Sequence, residues 1–282
     1  MFKKINLRVI LQVFILVLPL SILFLTRNAS AIRPEQAHFG EIDNFIQERM
    51  RVLRIPGLAF AVVQGDRIVH IRGYGLAGPE MGMTPDTRSY IGSVSKPITA
   101  LAVIQLVEQG DLQLDHPVQE YLPWFQVSDP EASATITVRN LLNHASGLSE
   151  VGYFPDLPVD ATLRTAVEEL RQARLIAQPG AEFHYFNENY QVLGLLVETI
   201  SGLPYGQYVQ ENIFTPLDME NSFADPVRAE QAGVAQGHGV LFGFPISREE
   251  AHPIYETPSG RIASTAEDMA HFLIAQLNGG RY

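Results

Sequence analysis

The sequence predicts a mixed α/β protein in which a two-stranded antiparallel unit precedes a long helical region. Two short β-rich runs, 58–63 and 67–72, are separated by Gln64-Gly65-Asp66, which is a typical hairpin signal. Beyond residue 93 the apolar residues recur mainly with helical spacing. The chain of 282 residues shows no internal repeat and is long enough for one large domain or two modest ones.

The predicted elements follow one another along the chain. A helix is expected over 34–53, because its apolar residues have helical spacing and Pro56-Gly57 follows. Further helices are predicted over 93–108, 137–143, 163–173, 188–200, 205–213 and 264–276. Residues 73–88 are rich in glycine and proline, and they are predicted to form a loop. The first six of them match GxGxxG, but no helix is predicted to begin there, as dinucleotide binding would require.

The composition excludes several classes of function. Acidic residues number 31 and basic residues 20, which gives a net charge of −11 at pH 7, so the phosphates of nucleic acid would be repelled. The chain contains no cysteine, which excludes thiol nucleophiles, disulfides and thiolate metal sites. The eight histidines show no metal-ligand spacing. We therefore expect no metal or other cofactor and no nucleic-acid partner.

The N-terminal residues predict export. Basic residues within 1–8 precede an apolar run over 9–25, and Ala29-Ser30-Ala31 follows as a small-x-small cleavage pattern. We expect 1–31 to be a signal peptide and 32–282 to be the mature domain, acting in the periplasm or outside the cell. The apolar run of 17 residues is short for a membrane-spanning helix. The alternative is an uncleaved N-terminal anchor that keeps the protein at the membrane.

A single lysine, Lys96, stands among the fifteen arginines of residues 32–282. Arginine stays protonated at any usable pH, whereas a lysine can lose its proton when it is partly desolvated. Lys96 could therefore serve as a base, a role that arginine cannot fill. The alternative is a codon bias that left one lysine by chance.

Ser93 and Lys96 stand three residues apart at the predicted start of a helix. Pro97 restricts this start to Ser93 or its neighbours, because proline is tolerated only in the first turn. At that position Ser93 lies beside unpaired backbone N–H groups, which favour the oxyanion of acyl transfer. A neutral Lys96 could accept the serine proton. The alternative is that Ser93 only caps the helix and Lys96 is a solvated side chain.

Tyr185 and Asn187 form a second candidate motif, between the Pro179-Gly180 turn and the helix predicted from residue 188. A tyrosine hydroxyl near a lysine can move protons between nucleophile and leaving group, and an asparagine amide can hold a substrate carbonyl. The alternative is that Tyr185 is a half-buried aromatic residue and that Asn187 caps the helix. Capping and substrate binding could both hold for Asn187.

Ser-x-x-Lys followed about ninety residues later by Tyr-x-Asn resembles the serine β-lactamase and penicillin-binding protein superfamily. The likeness is to the class C β-lactamases and their related esterases and D-amino-acid peptidases. Further family-like stretches are 55–58, 90–93, 136–142, 144–148, 183–187 and 259–268, so the resemblance covers almost all of 32–282. It implies an antiparallel sheet flanked by helices, with a helical region beside it.

The resemblance also implies a role for each motif residue. Ser93 would be the acylated nucleophile, and its backbone N–H would form half of the oxyanion hole. Lys96 would be its general base or would keep Tyr185 deprotonated, and Tyr185 would protonate the leaving group and later activate water. Asn187 would bind the amide side chain of the substrate. His144 lies in a family-like stretch, and we expect a structural role for it.

The sequence departs from the family after Asn187. The family carries a third motif, Lys-Thr-Gly or His-x-Gly, and its central sheet takes three strands from the C-terminal part of the chain. Neither motif follows Asn187 here, and only the first two strands of that sheet are predicted. We therefore expect the domain to be C-terminally incomplete, as a truncated reading of a longer gene.

Two classes of function remain open. The first is an exported serine hydrolase that acts through a Ser93 acyl-enzyme on β-lactams, on D-Ala-D-Ala-type peptides of peptidoglycan, or on esters. The second is a non-catalytic family member that serves as a ligand-binding or scaffold protein, which would not need all four motif residues. An α/β-hydrolase is not expected because the sequence contains no GxSxG. Because all four motif residues are present, we expect the first.

Overall fold

The computed structural model describes residues 39–151, 153, 156–249 and 251–282. The chain divides into two compact units, 1–46 and 47–282. The described helices are α1 (Phe39–Leu53), α2 (Ser95–Gln109), α3 (Pro130–Thr135), α4 (Val138–Leu142), α5 (Leu163–Glu168), α6 (Glu188–Ser201), α7 (Tyr205–Val209), α8 (Pro226–Ala232), α9 (Thr257–Gly260) and α10 (Ala266–Leu277). The described strands are β1 (Gly57–Gln64), β2 (Arg67–Gly78), β3 (Met81–Gly82), β4 (Ser89–Tyr90), β5 (His238–Leu241), β6 (Phe244–Ser247) and β7 (Ala263–Ser264).

Local sequence signals account for the boundaries of the main helices. Both α2 and α6 end at a glycine with the positive φ of a helix C-cap, 85° at Gly110 and 73° at Gly202. Thr137 caps α4 through a capping box. Two predicted helices continue in another helical form, a 3-10 turn over Glu169–Gln172 after α5 and a π-turn over Gln210–Phe214 after α7. Some short elements, namely α3, α8 and the β5–β6 hairpin, were not predicted because they are too short to show a period.

β1 and β2 form the antiparallel hairpin that the sequence predicts. β2 continues to Gly78 and β3 covers Met81–Gly82, so the prediction of a loop over 73–88 is wrong for residues 73–78 and 81–82. Residue 73 must be glycine because the backbone of Met83 approaches it closely. A Cβ on Gly73 would lie 2.1 Å from the carbonyl oxygen of Met83. The glycines of the GxGxxG match therefore lie within a strand, and no helix begins beside them.

The hydrophobic core of the second unit lies among its helices. α2 and α6 pack against each other, and α9 lies against both. Fully buried large side chains come from α2, from α6 and from the segments that surround them: Ile98, Leu106, Leu112, Leu122, Phe125, Ile136, Leu141, Leu148, Leu170, Phe186, Leu193 and Phe214. Each buried side chain of this size contributes about 1.5–3 kcal/mol through the hydrophobic effect. The packing of α2 on α6 fixes how the two candidate motifs lie relative to each other.

A short strand pair fixes the segment just before Ser93. β4 pairs with β7 in antiparallel register. The backbone N–H of Ile91 then donates to the carbonyl oxygen of Ile262 at 3.0 Å. As a result, the residues that link α9 to β7 lie beside the start of α2.

No helix in the described ranges is both long and apolar enough to cross a membrane. The predicted signal peptide or anchor, residues 1–31, lies outside the described residues.

Replacement of Gly73 by alanine tests the close approach of Met83 to β2. The new methyl group would meet backbone atoms only, including the Met83 carbonyl carbon at 2.5 Å, so no side chain can move aside. Overpacking of this kind costs on the order of 1–3 kcal/mol. We expect Gly73→Ala to lower the free energy of unfolding by about this much, which would appear as a lower denaturant midpoint.

Gly82→Ala is the matched control, because nothing lies within 4 Å of a Cβ at that position of β3. Equal midpoints for the two variants would contradict the strand packing described above.

Candidate active site

Ser93 lies in a 3-10 turn over Gly92–Val94 that leads directly into α2. The α-helix itself begins at Ser95, two residues later than predicted. Gly92 permits this turn because its φ is 56°, in the left-handed region. The Ser95 hydroxyl donates to the Gly92 carbonyl oxygen at 2.8 Å and accepts from the Ile262 N–H at 3.2 Å. Ser95 therefore stabilises the turn. The Ser93 side chain makes no capping bond, and its hydroxyl contacts Tyr185.

Lys96 is buried, with 5% of its surface exposed. Its Nζ donates to the carbonyl oxygen of Ser259 at 2.7 Å and to Oδ1 of Asn187 at 2.8 Å. The same nitrogen lies 3.4 Å from Oγ of Ser93. The alternative of a solvated lysine is thus wrong, because Lys96 points into the protein and is held by two carbonyl oxygens.

The Tyr185 side chain lies beside both Ser93 and Lys96. Its hydroxyl is 2.7 Å from Oγ of Ser93, and Lys96 Nζ lies 4.7 Å from the centre of its ring. The side chain is 43% exposed, so the hydroxyl pair can be reached from solvent. The structure therefore brings the two motifs together, with the serine hydroxyl between a tyrosine hydroxyl and a lysine nitrogen.

His144 supports the tyrosine ring. The two rings are stacked, with their centres 4.5 Å apart and an angle of 27° between their planes. Burial and the nearby charge of Lys96 lower the pKa of His144 to about 4. Its Nδ1 accepts the backbone N–H of Phe186 at 3.2 Å, which requires an unprotonated nitrogen. These contacts give His144 the structural role that we expected of it.

Asn187 occupies the N-cap position of α6, but its side chain makes no capping hydrogen bond. Its Oδ1 accepts from Lys96, and its Nδ2 donates to Oε1 of Glu150 at 3.0 Å. Asn187 therefore lies in the site with Lys96 and does not cap the helix that follows it. Glu150 is a neighbour that the sequence analysis did not identify, because this contact spans 37 residues.

Glu188 is a second acidic residue that the sequence analysis missed as part of the site. Its Oε2 is buried and has no hydrogen-bond partner among the residues that the structure describes. Burial raises the pKa of Glu188 to about 7, and the charges of Glu150 and Glu256 contribute in the same direction. Lys96 opposes the shift. The sequence shows Glu188 only as the first residue of a helix, where acidic residues are common.

Relatives of known name were found both by sequence and by structure. Protein flp of Staphylococcus aureus (strain MW2) is 26% identical over 242 residues, which are 84% of this chain and 49% of flp. Penicillin-binding protein 4 of Amycolatopsis lactamdurans is 32% identical over 246 residues, which are 83% of this chain and 64% of that protein. The octameric penicillin-binding protein homologue from Pyrococcus abyssi has a similar fold, with a TM-score of 0.74 and 29% identity. That alignment covers 86% of this chain and 57% of the homologue.

The chain thus spans about half the length of flp and under two thirds of the other two proteins. The fold expected from the sequence, a mixed α/β arrangement of the β-lactamase and penicillin-binding type, is confirmed by this similarity. Residues 42–282 match the family model described as Beta-lactamase. That match includes all four motif residues and shows that the chain belongs to the beta-lactamase family.

Proposed function

We propose that this protein is a serine hydrolase in which Ser93 forms an acyl-enzyme. One observation carries the proposal: the Ser93 hydroxyl lies 2.7 Å from the Tyr185 hydroxyl and 3.4 Å from the buried Lys96 nitrogen. A nucleophilic serine needs a group within hydrogen-bond reach that can take its proton. A scaffold protein would have no need to bury a lysine beside a partly exposed serine and tyrosine pair.

In the acylation step, Ser93 Oγ attacks the substrate carbonyl carbon while its proton leaves through Tyr185 or Lys96. The shorter distance favours Tyr185 as the direct acceptor; in this route the phenol oxygen is deprotonated and the positive charge of Lys96 stabilises it. In the second route Lys96 is the acceptor and is itself neutral. A neutral Lys96 amine would carry two N–H bonds, which match the two carbonyl oxygens that it contacts. Its lone pair would then face Ser93. Both routes place the serine proton on a group that touches Oγ.

The later steps use the same groups. The backbone N–H of Ser93 supports the oxyanion that forms on the carbonyl oxygen. Tyr185 returns the proton to the leaving group, and the bond between the carbonyl carbon and the leaving group breaks. A water molecule then attacks the ester carbonyl carbon and gives a proton to Tyr185. The bond from that carbon to Ser93 Oγ breaks, Oγ takes the proton from Tyr185, and the free acid leaves.

The substrate classes that fit this chemistry are β-lactams, D-Ala-D-Ala-type peptides and esters. Two relatives are named as penicillin-binding proteins or homologues of one, which supports a peptidoglycan-type or β-lactam substrate. Export, as predicted from residues 1–31, would place the protein where such substrates occur. All three classes share an acyl carbonyl that Ser93 can attack.

Substitution of Tyr185 by phenylalanine tests the proton-transfer role. The ring and its stacking on His144 are retained while the hydroxyl is lost. Because general acid–base groups contribute about 10²–10⁴-fold to rate, we expect kcat/KM for a 4-nitrophenyl ester to fall by about 10² or more. Ser93→Ala should lose at least as much.

Tyr282→Phe is the matched control, since it removes a tyrosine hydroxyl whose partners, His271 and Asp218, are not among the motif residues. Thermal unfolding midpoints should stay close to the wild-type value for all three variants. Ester hydrolysis that survives Tyr185→Phe unchanged would rule out the proposed role of the hydroxyl.

Glu188→Gln tests whether the site is assembled in solution as described. The folded-state pKa of about 7 lies above the ordinary carboxyl value of 4.5, so the folded state binds the extra proton between these values. The resulting stability is complete below pH 4.5 and is lost as the pH rises through 7. Between pH 4.5 and 8 we expect the free energy of unfolding of the wild type to fall by on the order of 3 kcal/mol more than that of Glu188→Gln.

Urea unfolding at several pH values measures this difference. Glu131→Gln, at an exposed position of α3, should follow the wild-type curve. If the free energy of unfolding varies with pH in the same way for wild type and Glu188→Gln, then Glu188 is not buried as described here.

A further inference from the structure

We propose that Glu150 determines specificity at the Ser93 site by favouring substrates with a positive charge on the acyl group over neutral substrates of the same shape. This inference rests on the proposed serine hydrolase function and names a substrate class for it. The carboxylate of Glu150 touches the residue expected to bind the substrate amide, and it faces solvent.

Hydrogen bonds at both ends of the Asn187 amide fix its orientation. Its oxygen is held by Lys96 and its NH₂ group by Glu150, so a chain of hydrogen bonds runs from Glu150 through Asn187 and Lys96 to Ser93. One of the two N–H bonds of Asn187 Nδ2 therefore points to the Glu150 carboxylate, which leaves the other for a substrate carbonyl. An acyl group bound to Asn187 thus lies beside an exposed carboxylate, which attracts a cationic group and gains nothing from a neutral group of the same shape.

The charged groups around Asn187 differ in how far they are paired with other groups. The charges of Glu150 and Glu256 each help to raise the pKa of Glu188. Arg261 Nε is bonded to Glu256 Oε2 at 2.9 Å, so these two charges largely compensate each other. Lys96 is directed at the two carbonyl oxygens, and His144 stays uncharged near neutral pH because its pKa is about 4. Lys96 is buried while Glu150 is exposed, so the charge that faces solvent beside Asn187 is the Glu150 carboxylate.

A purely structural role for Glu150 predicts something different. If Glu150 only orients Asn187, then its replacement should affect cationic and neutral substrates equally. Glu150→Gln separates the two roles, because glutamine keeps a carbonyl oxygen for the Asn187 N–H and removes only the charge. Glu150→Ala removes both the charge and the hydrogen-bond acceptor.

The experiment compares two 4-nitrophenyl esters of the same shape. One carries a 4-(trimethylammonio)butyryl group and the other a 5,5-dimethylhexanoyl group, in which carbon replaces the charged nitrogen. Values of kcat/KM are divided by the rates of hydroxide-catalysed hydrolysis, which corrects for differences in intrinsic reactivity. The full chain is assayed as wild type, Glu150→Gln, Glu150→Ala, Ser93→Ala and the exposed control Glu131→Gln.

We expect wild type to favour the cationic ester by about fivefold to tenfold, the effect of one partly solvated charge a few ångströms away. The preference should fall to near unity in Glu150→Gln and Glu150→Ala and stay at the wild-type value in Glu131→Gln. It should also shrink as the salt concentration rises.

The outcomes separate this inference from the function on which it rests. Hydrolysis that Ser93→Ala abolishes, with the same preference in wild type and Glu150→Gln, would overturn the role of Glu150 and leave the hydrolase proposal standing. Failure of the wild type to hydrolyse either ester would contradict both proposals.

Discussion

The site depends on one interaction, the hydrogen bonding of the buried Lys96 nitrogen to two carbonyl oxygens. A buried amino group without partners would cost several kcal/mol, so its partners must be in place whenever the protein is folded. Those partners, the Ser259 carbonyl and the Asn187 amide, come from segments 163 and 91 residues away along the chain. Lys96 thus links α2 to the start of α6 and to α9. Ser93 is held next to it by the 3-10 turn that leads into α2.

The packing of α9 against α6 places the Ser259 carbonyl oxygen within hydrogen-bond distance of Lys96. Gly194 of α6 has no side chain, and the ring of Pro258 fills the space, since a Cβ there would lie 2.3 Å from its Cγ. The close approach brings the neighbouring Ser259 carbonyl to Lys96. Thr99, one turn further along α2, donates to the Pro258 carbonyl oxygen at 2.7 Å and so anchors the same segment. Stability and the geometry of the candidate site therefore rest on the same contacts.

Much of the fold and the centre of the site could be predicted from the sequence. The spacing of Ser93 and Lys96, and the single lysine among many arginines, pointed to the residues that the structure brings together. Regular helices such as α2 and α6 are long enough to show their period and to end at recognisable glycines. The continuation of β2 through its glycines could not be predicted, because it depends on how Met83 approaches the strand. Glu150 and Glu188 were missed for a related reason: their importance comes from contacts and burial that no local pattern records.

The most direct test of the account is the intact mass of the protein after reaction with a fluorophosphonate, which labels activated serine hydroxyls whatever the natural substrate. The account predicts one phosphonyl group per chain, located on Ser93 by peptide mapping, absent in Ser93→Ala and formed much more slowly in Lys96→Ala. Absence of an adduct on the folded wild-type protein, or equal labelling of Ser93→Ala, would contradict the assignment of Ser93 as the nucleophile.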